Sequence, residues 1–175
     1  MLKVENDKAI LYSMGRCGTK SLTHHILGYS YSDIYGDTTQ PPEERFKFFI
    51  VPERIQQSEK TQILVLRDPK ERFESGQQLW IEQNHIDHPQ YEDYERFMLY
   101  HGAPFLHRLN LDINFKILLF DKLGDYVPHI QKDPSLEKRK WIENTYDWET
   151  EMGLYFKLLN ENERITVEEF HKCFS

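Results

Sequence analysis

The stretch from residue 9 to residue 27, AILYSMGRCGTKSLTHHIL, constrains the fold more than any other. Its apolar start, residues 9–12, predicts a buried strand. The run breaks at Gly15-Arg16-Cys17-Gly18, and Thr19 then opens a segment with Leu22, Ile26 and Leu27 at helical spacing. Strand, glycine turn and helix is the geometry in which backbone N–H groups and the positive end of a helix converge on one point. Glycine lets the backbone come close to an anion, and Arg16 and Lys20 add full positive charges beside it. A phosphate-like group is the natural occupant. Glycine turns also join strands to helices for purely structural reasons, and this stretch alone leaves both roles open.

The same alternation recurs along the chain. Residues 63–66, ILVL, predict a second buried strand, which ends in Arg67-Asp68-Pro69. A helix follows over about 70–83, with Phe73, Leu79 and Trp80 along one face. FKILLF at 115–120 predicts a third strand. Further helices are expected over 91–100 and 148–159, and a short last one has Thr166 as N-cap with Glu168 and Glu169 in its first turn. Residues 3–8 read as a charged, ragged lead-in and residues 28–44 as an exposed loop. Pro52 is expected to start a polar helical turn reaching about residue 58. Buried strands alternating with helices predict an α/β fold: a three-layer, mainly parallel sheet flanked by helices, with a P-loop-like strand–loop–helix, in one domain over 1–175. In such sheets ligands sit at the carboxyl ends of the strands, where the glycine turn and Arg67 would both lie.

The second strand leads into Arg67-Asp68-Pro69-Lys70-Glu71-Arg72-Phe73-Glu74-Ser75. An arginine fork at a strand end and a serine hydroxyl on the following helix suit a second phosphate. With both elements in view, the chain resembles the sulfotransferases that use 3′-phosphoadenosine-5′-phosphosulfate (PAPS). Arg16-Cys17-Gly18-Thr19-Lys20-Ser21 is similar to the family's loop for the 5′-phosphosulfate, with Arg16 in the slot of the catalytic Lys or Arg. Arg67 and Ser75 match the Arg and Ser of the family's 3′-phosphate element at the same spacing. FKILLFDKL resembles its apolar strand ending in an acidic residue and Leu. Arg139-Lys140 lie where many members bring a late basic pair to the 3′-phosphate, without the glycine that follows it there. The chain is also shorter than most members, which implies acceptor-binding elements that are reduced or supplied by a partner.

The resemblance implies transfer of a sulfuryl group from PAPS to a hydroxyl or amine, with no metal. Gly15, Arg16, Cys17, Gly18, Thr19, Lys20 and Ser21 would hold the 5′ side, and Arg67, Ser75, Arg139 and Lys140 the 3′-phosphate. Such a transfer asks the protein chiefly for alignment and charge stabilisation, by analogy with phosphoryl transfer. Arg16 and Lys20, with the Gly18 and Thr19 amides, would supply it, while the Thr19 and Ser21 hydroxyls bind the 5′-phosphate or cap the helix. Arg72 is expected to brace the fold. A general base is needed for the acceptor. Glu44, with Glu43 beside it, follows the loop at the distance seen in carbohydrate and tyrosine branches; His85 and Asp87 are the alternatives. The acceptor, whether carbohydrate, peptide or small molecule, is not encoded in any motif.

Other readings are weaker. Placing Lys20-Ser21 on the end of a Walker A loop puts Met14 and Thr19 where its glycines belong, so a small-molecule kinase fits less well; a non-catalytic nucleotide or polyanion module is the third reading. His24 and His25 point about 100° apart on a helix, and His85 and His88 have no cysteine near them. Cys17, at a helix start beside Arg16, is expected to have a lowered pKa or to be an inert filler. Trp80, Trp141 and Trp148 are read as core, with adenine stacking or an acceptor pocket lined by Trp80 as alternatives. A net charge of −7 argues against nucleic acid or an anionic membrane as partner. No apolar run approaches ~20 residues, the first residues lack a signal-peptide pattern, and two cysteines far apart suggest a reducing, cytoplasmic setting.

Overall fold

Five consecutive buried residues form β2 (Ala9–Ser13), and all but the first residue of β3 (Thr61–Leu66) are buried too. Strands covered on both faces read as continuous apolar runs, which is why both are visible in the sequence. The computed structural model describes residues 1–28, 48–84, 94–128 and 145–175. With β1 (Leu2–Glu5) and β4 (Phe115–Leu119), these strands make a four-stranded sheet in the order β1-β2-β3-β4. β2, β3 and β4 are parallel, with Leu11 opposite Ile63 and Leu64 opposite Ile117.

β1 corrects the expected lead-in. It runs antiparallel to β2, with Leu2 opposite Ser13. Leu2 and Val4 are buried while Lys3 and Glu5 are not, a period-two pattern too brief to stand out among charges. Both outer strands have backbone neighbours. Lys3 N–H donates to Phe48 O at 2.8 Å beside β1, and Ile117 N–H donates to Glu163 O at 2.8 Å beside β4.

Helices flank the sheet: α1 (Thr19–Leu27), α2 (Pro69–Asn84), α3 (Tyr94–His101), α4 (Trp148–Glu161) and α5 (Val167–Phe174). Pro52 starts only a short 3-10 turn, Pro52–Arg54. α2 begins with Pro at its first position, and the Asp68 carboxylate accepts the Lys70 and Glu71 amides at 2.9 and 3.1 Å, satisfying N–H groups that a helix start leaves open. α5 carries the capping box between Thr166 and Glu169. No helix among the described residues is long and apolar enough to cross a membrane.

The main core includes Leu11, Ile63, Leu64, Phe115 and Ile117, all fully buried; each such side chain contributes about 1.5–3 kcal/mol. A second cluster of Phe73, Trp80, Phe97, Met98 and Ala103 joins α2 to α3, with Tyr146 and Trp148 packed against it. Trp80 lies 5.3 Å from Phe97 and 5.5 Å from Tyr94 between ring centroids, so it is part of this core. Because β2 and β3 are parallel, they end at one edge of the sheet, where α1 and α2 begin.

Candidate functional site

Between the end of β2 and the start of α1 the chain makes a turn with two left-handed residues, Arg16 (φ 67°) and Gly18 (φ 77°). Gly18 takes this conformation freely; at Arg16 it costs on the order of 1–3 kcal/mol, a strain that tends to persist where a site needs it. Every carbonyl from Met14 to Gly18 is engaged from inside the protein. Met14 O accepts Cys17 N–H at 3.1 Å, and Gly18 O accepts Leu22 N–H at 3.0 Å. Gly15 O takes Arg72 Nε at 2.9 Å, Arg16 O takes Arg67 Nη1 at 2.9 Å, and Cys17 O takes the Ser13 hydroxyl at 3.2 Å. A planar trans peptide points its N–H opposite its C=O, so a turn with its carbonyls drawn inward presents an N–H edge, the arrangement of anion-binding nests. α1 then starts at Gly18 without a side-chain cap and without an acidic residue in its first turn. A β-carbon on Gly15 would sit 2.5 Å from Tyr100 O, so only glycine allows the turn to lie this close to α3.

Two guanidinium groups stand behind the turn, Arg72 fully buried and Arg67 partly so. Arg72 is 2% exposed and donates to three carbonyls: Gly15 O, Ala103 O at 2.6 Å and Tyr100 O at 2.7 Å. Arg67 lies over the Phe120 ring at 4.3 Å, and its buried Nε has no hydrogen-bond partner. Burial draws both groups down from their usual basicity, yet arginine stays charged in proteins. Among the described residues neither is ion-paired with a carboxylate; the pairs present lie elsewhere, such as Lys60–Glu5 and Arg108–Glu53. Carboxylates act on them only without direct contact, Glu151 on Arg72 and Glu71, Asp68 and Glu74 on Arg67, and an anion arriving at this edge would supply a direct counter-ion.

The residues singled out in the sequence fall as follows. Arg16, Arg67 and Ser75 are brought together: Arg16 Nε donates to Ser75 Oγ at 2.9 Å while its carbonyl takes Arg67. This bond puts Arg16 in direct contact with a residue assigned to the other end of the nucleotide. Lys20 is exposed, and Thr19 and Ser21 are buried at 6% and 3% exposure. Gly18, not Thr19 or Ser21, is the helix cap. Cys17 corrects an expectation: burial pushes its thiol up, outweighing the pull of Arg72, Arg67 and Arg16 in the other direction. Glu43, Glu44, His85, Asp87, His88, Arg139, Lys140 and Trp141 lie outside the described residues.

Sequence reasoning missed Tyr100, Ala103 and Phe120. The first two act through backbone carbonyls, which no residue type announces. Phe120 was visible only as the aromatic end of FKILLF, one residue before Asp121. Comparison of the chain with family models, curated proteins and solved structures gives no match.

Proposed function

We propose that this chain is a sulfotransferase that moves a sulfuryl group from PAPS to a hydroxyl or amine acceptor, on a three-layer fold with a P-loop-like turn. The acceptor oxygen or nitrogen attacks sulfur, the bond from sulfur to the bridging phosphate oxygen breaks, and adenosine 3′,5′-bisphosphate leaves. The acceptor's proton passes to a base, for which Glu44 is the candidate. The N–H groups of Gly15, Arg16 and Gly18 and the start of α1 meet the 5′ side, and Arg16 and Lys20 stabilise charge on the leaving oxygen. Thr19 and Ser21 line the same helix start. Arg67 and Ser75 hold the 3′-phosphate, with Arg139 and Lys140 assisting. Ser75 accepts from Arg16 and keeps its own O–H to donate, so one hydroxyl can serve the arginine and the phosphate together.

The observation that carries this reading is the inward capture of five consecutive carbonyls beside a partly buried Arg67 whose buried Nε has no hydrogen-bond partner and which makes no ion pair among the described residues. Titration calorimetry with adenosine 3′,5′-bisphosphate tests it. Tight binding that depends on the 3′-phosphate supports the reading. Equal binding of ATP favours a kinase-type site, and no binding of either removes the nucleotide altogether. Turnover of labelled PAPS with a panel of acceptors then separates an enzyme from a non-catalytic binding module.

A further inference from the structure

Arg72 is the least accessible charge at this edge, and its guanidinium donates to three backbone carbonyls. Its Nε holds the Gly15 carbonyl, and its two terminal nitrogens hold the Tyr100 and Ala103 carbonyls. Tyr100 belongs to the last turn of α3, where helix carbonyls lack intrahelical partners and a cation is favoured. The guanidinium therefore clips the glycine turn to the end of α3. A second layer fixes the clip. The Phe105 ring lies 5.0 Å from the Arg72 guanidinium. The Phe105 and Leu106 amides donate to Glu151 Oε1 on α4 at 2.7 and 2.6 Å, and His107 Nδ1 meets Oε2 at 3.2 Å.

We propose that Arg72 is a positioning residue that sets the affinity of the anion site without touching the anion. By drawing the Gly15 carbonyl inward, it turns the N–H of the same planar peptide, that of Arg16, to the opposite side, where the anion is received. It also fixes the backbone from which the Arg16 side chain departs. This inference rests on the reading of the turn as an anion site.

The experiment compares wild type, Arg72→Ala, Arg72→Lys and a distant core control, Phe170→Leu, at a temperature where all are folded by circular dichroism. Calorimetry with adenosine 3′,5′-bisphosphate is expected to show affinity about tenfold or more weaker in Arg72→Ala, the size expected for lost hydrogen bonds to a charged group. Millimolar guanidinium ion should restore much of it by refilling the vacated space, a rescue that general loss of stability would not give. Arg72→Lys keeps the charge but cannot reach three carbonyls, and should bind about as weakly as Arg72→Ala; it carries the test if the alanine variant does not fold. Phe170→Leu should bind like wild type. Wild-type affinity in both Arg72 variants overturns this inference alone, as does a loss in Phe170→Leu that matches theirs. Absence of binding by wild type overturns it together with the reading beneath it.

Discussion

The two ends of the parallel strands handle buried polarity in opposite ways. Where β2 and β3 begin, neutral side chains close on one another. Gln62, 1% exposed, donates to the Tyr12 hydroxyl at 3.2 Å and Gln56 O at 2.9 Å, and accepts from Ser58 N–H and Gln57 at 2.9 and 3.1 Å. Asn6 likewise takes the Lys8 and Ala9 amides and donates to Cys173 O. Where the same strands finish, buried Arg72 and partly buried Arg67 donate to carbonyls, and the buried Nε of Arg67 has no partner. An amide with all its capacities filled has nothing left to offer a ligand, whereas a partly buried guanidinium with no carboxylate in direct contact keeps a demand for negative charge. One end closes its polar groups on one another; the other leaves the Arg67 Nε without a partner.

The contrast can be broken by trading the two ends' polar groups. Arg67→Leu should weaken adenosine 3′,5′-bisphosphate binding about 100-fold by calorimetry, through loss of charge-assisted bonds, with a small change in melting temperature. Gln62→Leu should do the reverse: about 1–3 kcal/mol of stability lost in urea unfolding, from the polar partners left unpaired, with bisphosphate affinity unchanged. A loss of affinity in Gln62→Leu would end the distinction. Gly15→Ala sharpens it. The added carbon, 2.5 Å from Tyr100 O, must push backbone aside, costing about 1–3 kcal/mol, and the anion affinity should fall alongside. In Arg16→Gly, relief of the left-handed strain and the added chain entropy of glycine oppose each other, leaving stability within about 1 kcal/mol, while turnover of labelled PAPS should disappear. The smallest effect is at Cys17. Burial holds its thiol above the ordinary value of 9.0, so the unfolded chain gives up this proton first. Stability should be insensitive to this group below that value and decline as pH rises through it; melts of wild type against Cys17→Ala across that range isolate the slope.

Legibility followed the same divide between local and distant causes. β2, β3 and β4 announce themselves through short, mostly apolar runs, and α5 through its Thr166–Glu169 cap, because each signal is complete within a few residues. β1 was hidden because its two buried positions, Leu2 and Val4, alternate with Lys3 and Glu5 and acquire meaning only against β2. The glycine turn and the Arg67-to-Ser75 segment stood out in the sequence as candidates, and the structure brings them together. Their meeting through Arg16 follows from parallel strands ending on one edge. The role of Arg72 could be sensed from its place next to buried Phe73 on α2, but its three partners are carbonyls contributed by a turn and by the end of α3. For Cys17 the filler reading agrees with its burial, and the lowered pKa failed for a related reason: the nearby arginines are visible in the sequence, and the completeness of its burial is not.

One feature at the flanks of the sheet bears on how the molecule behaves in a crowd. Outside β4, Ile117 both donates to Glu163 O and accepts from Ile165 N–H; outside β1, Lys3 and Ile50 make the matching bonds to Phe48 and Met1. The chain thus spends its own loops to occupy rims that would otherwise recruit strangers, since bare strand rims template fibrous growth. Clipping the chain ahead of Glu163 would uncover the β4 rim, and such a fragment should polymerise.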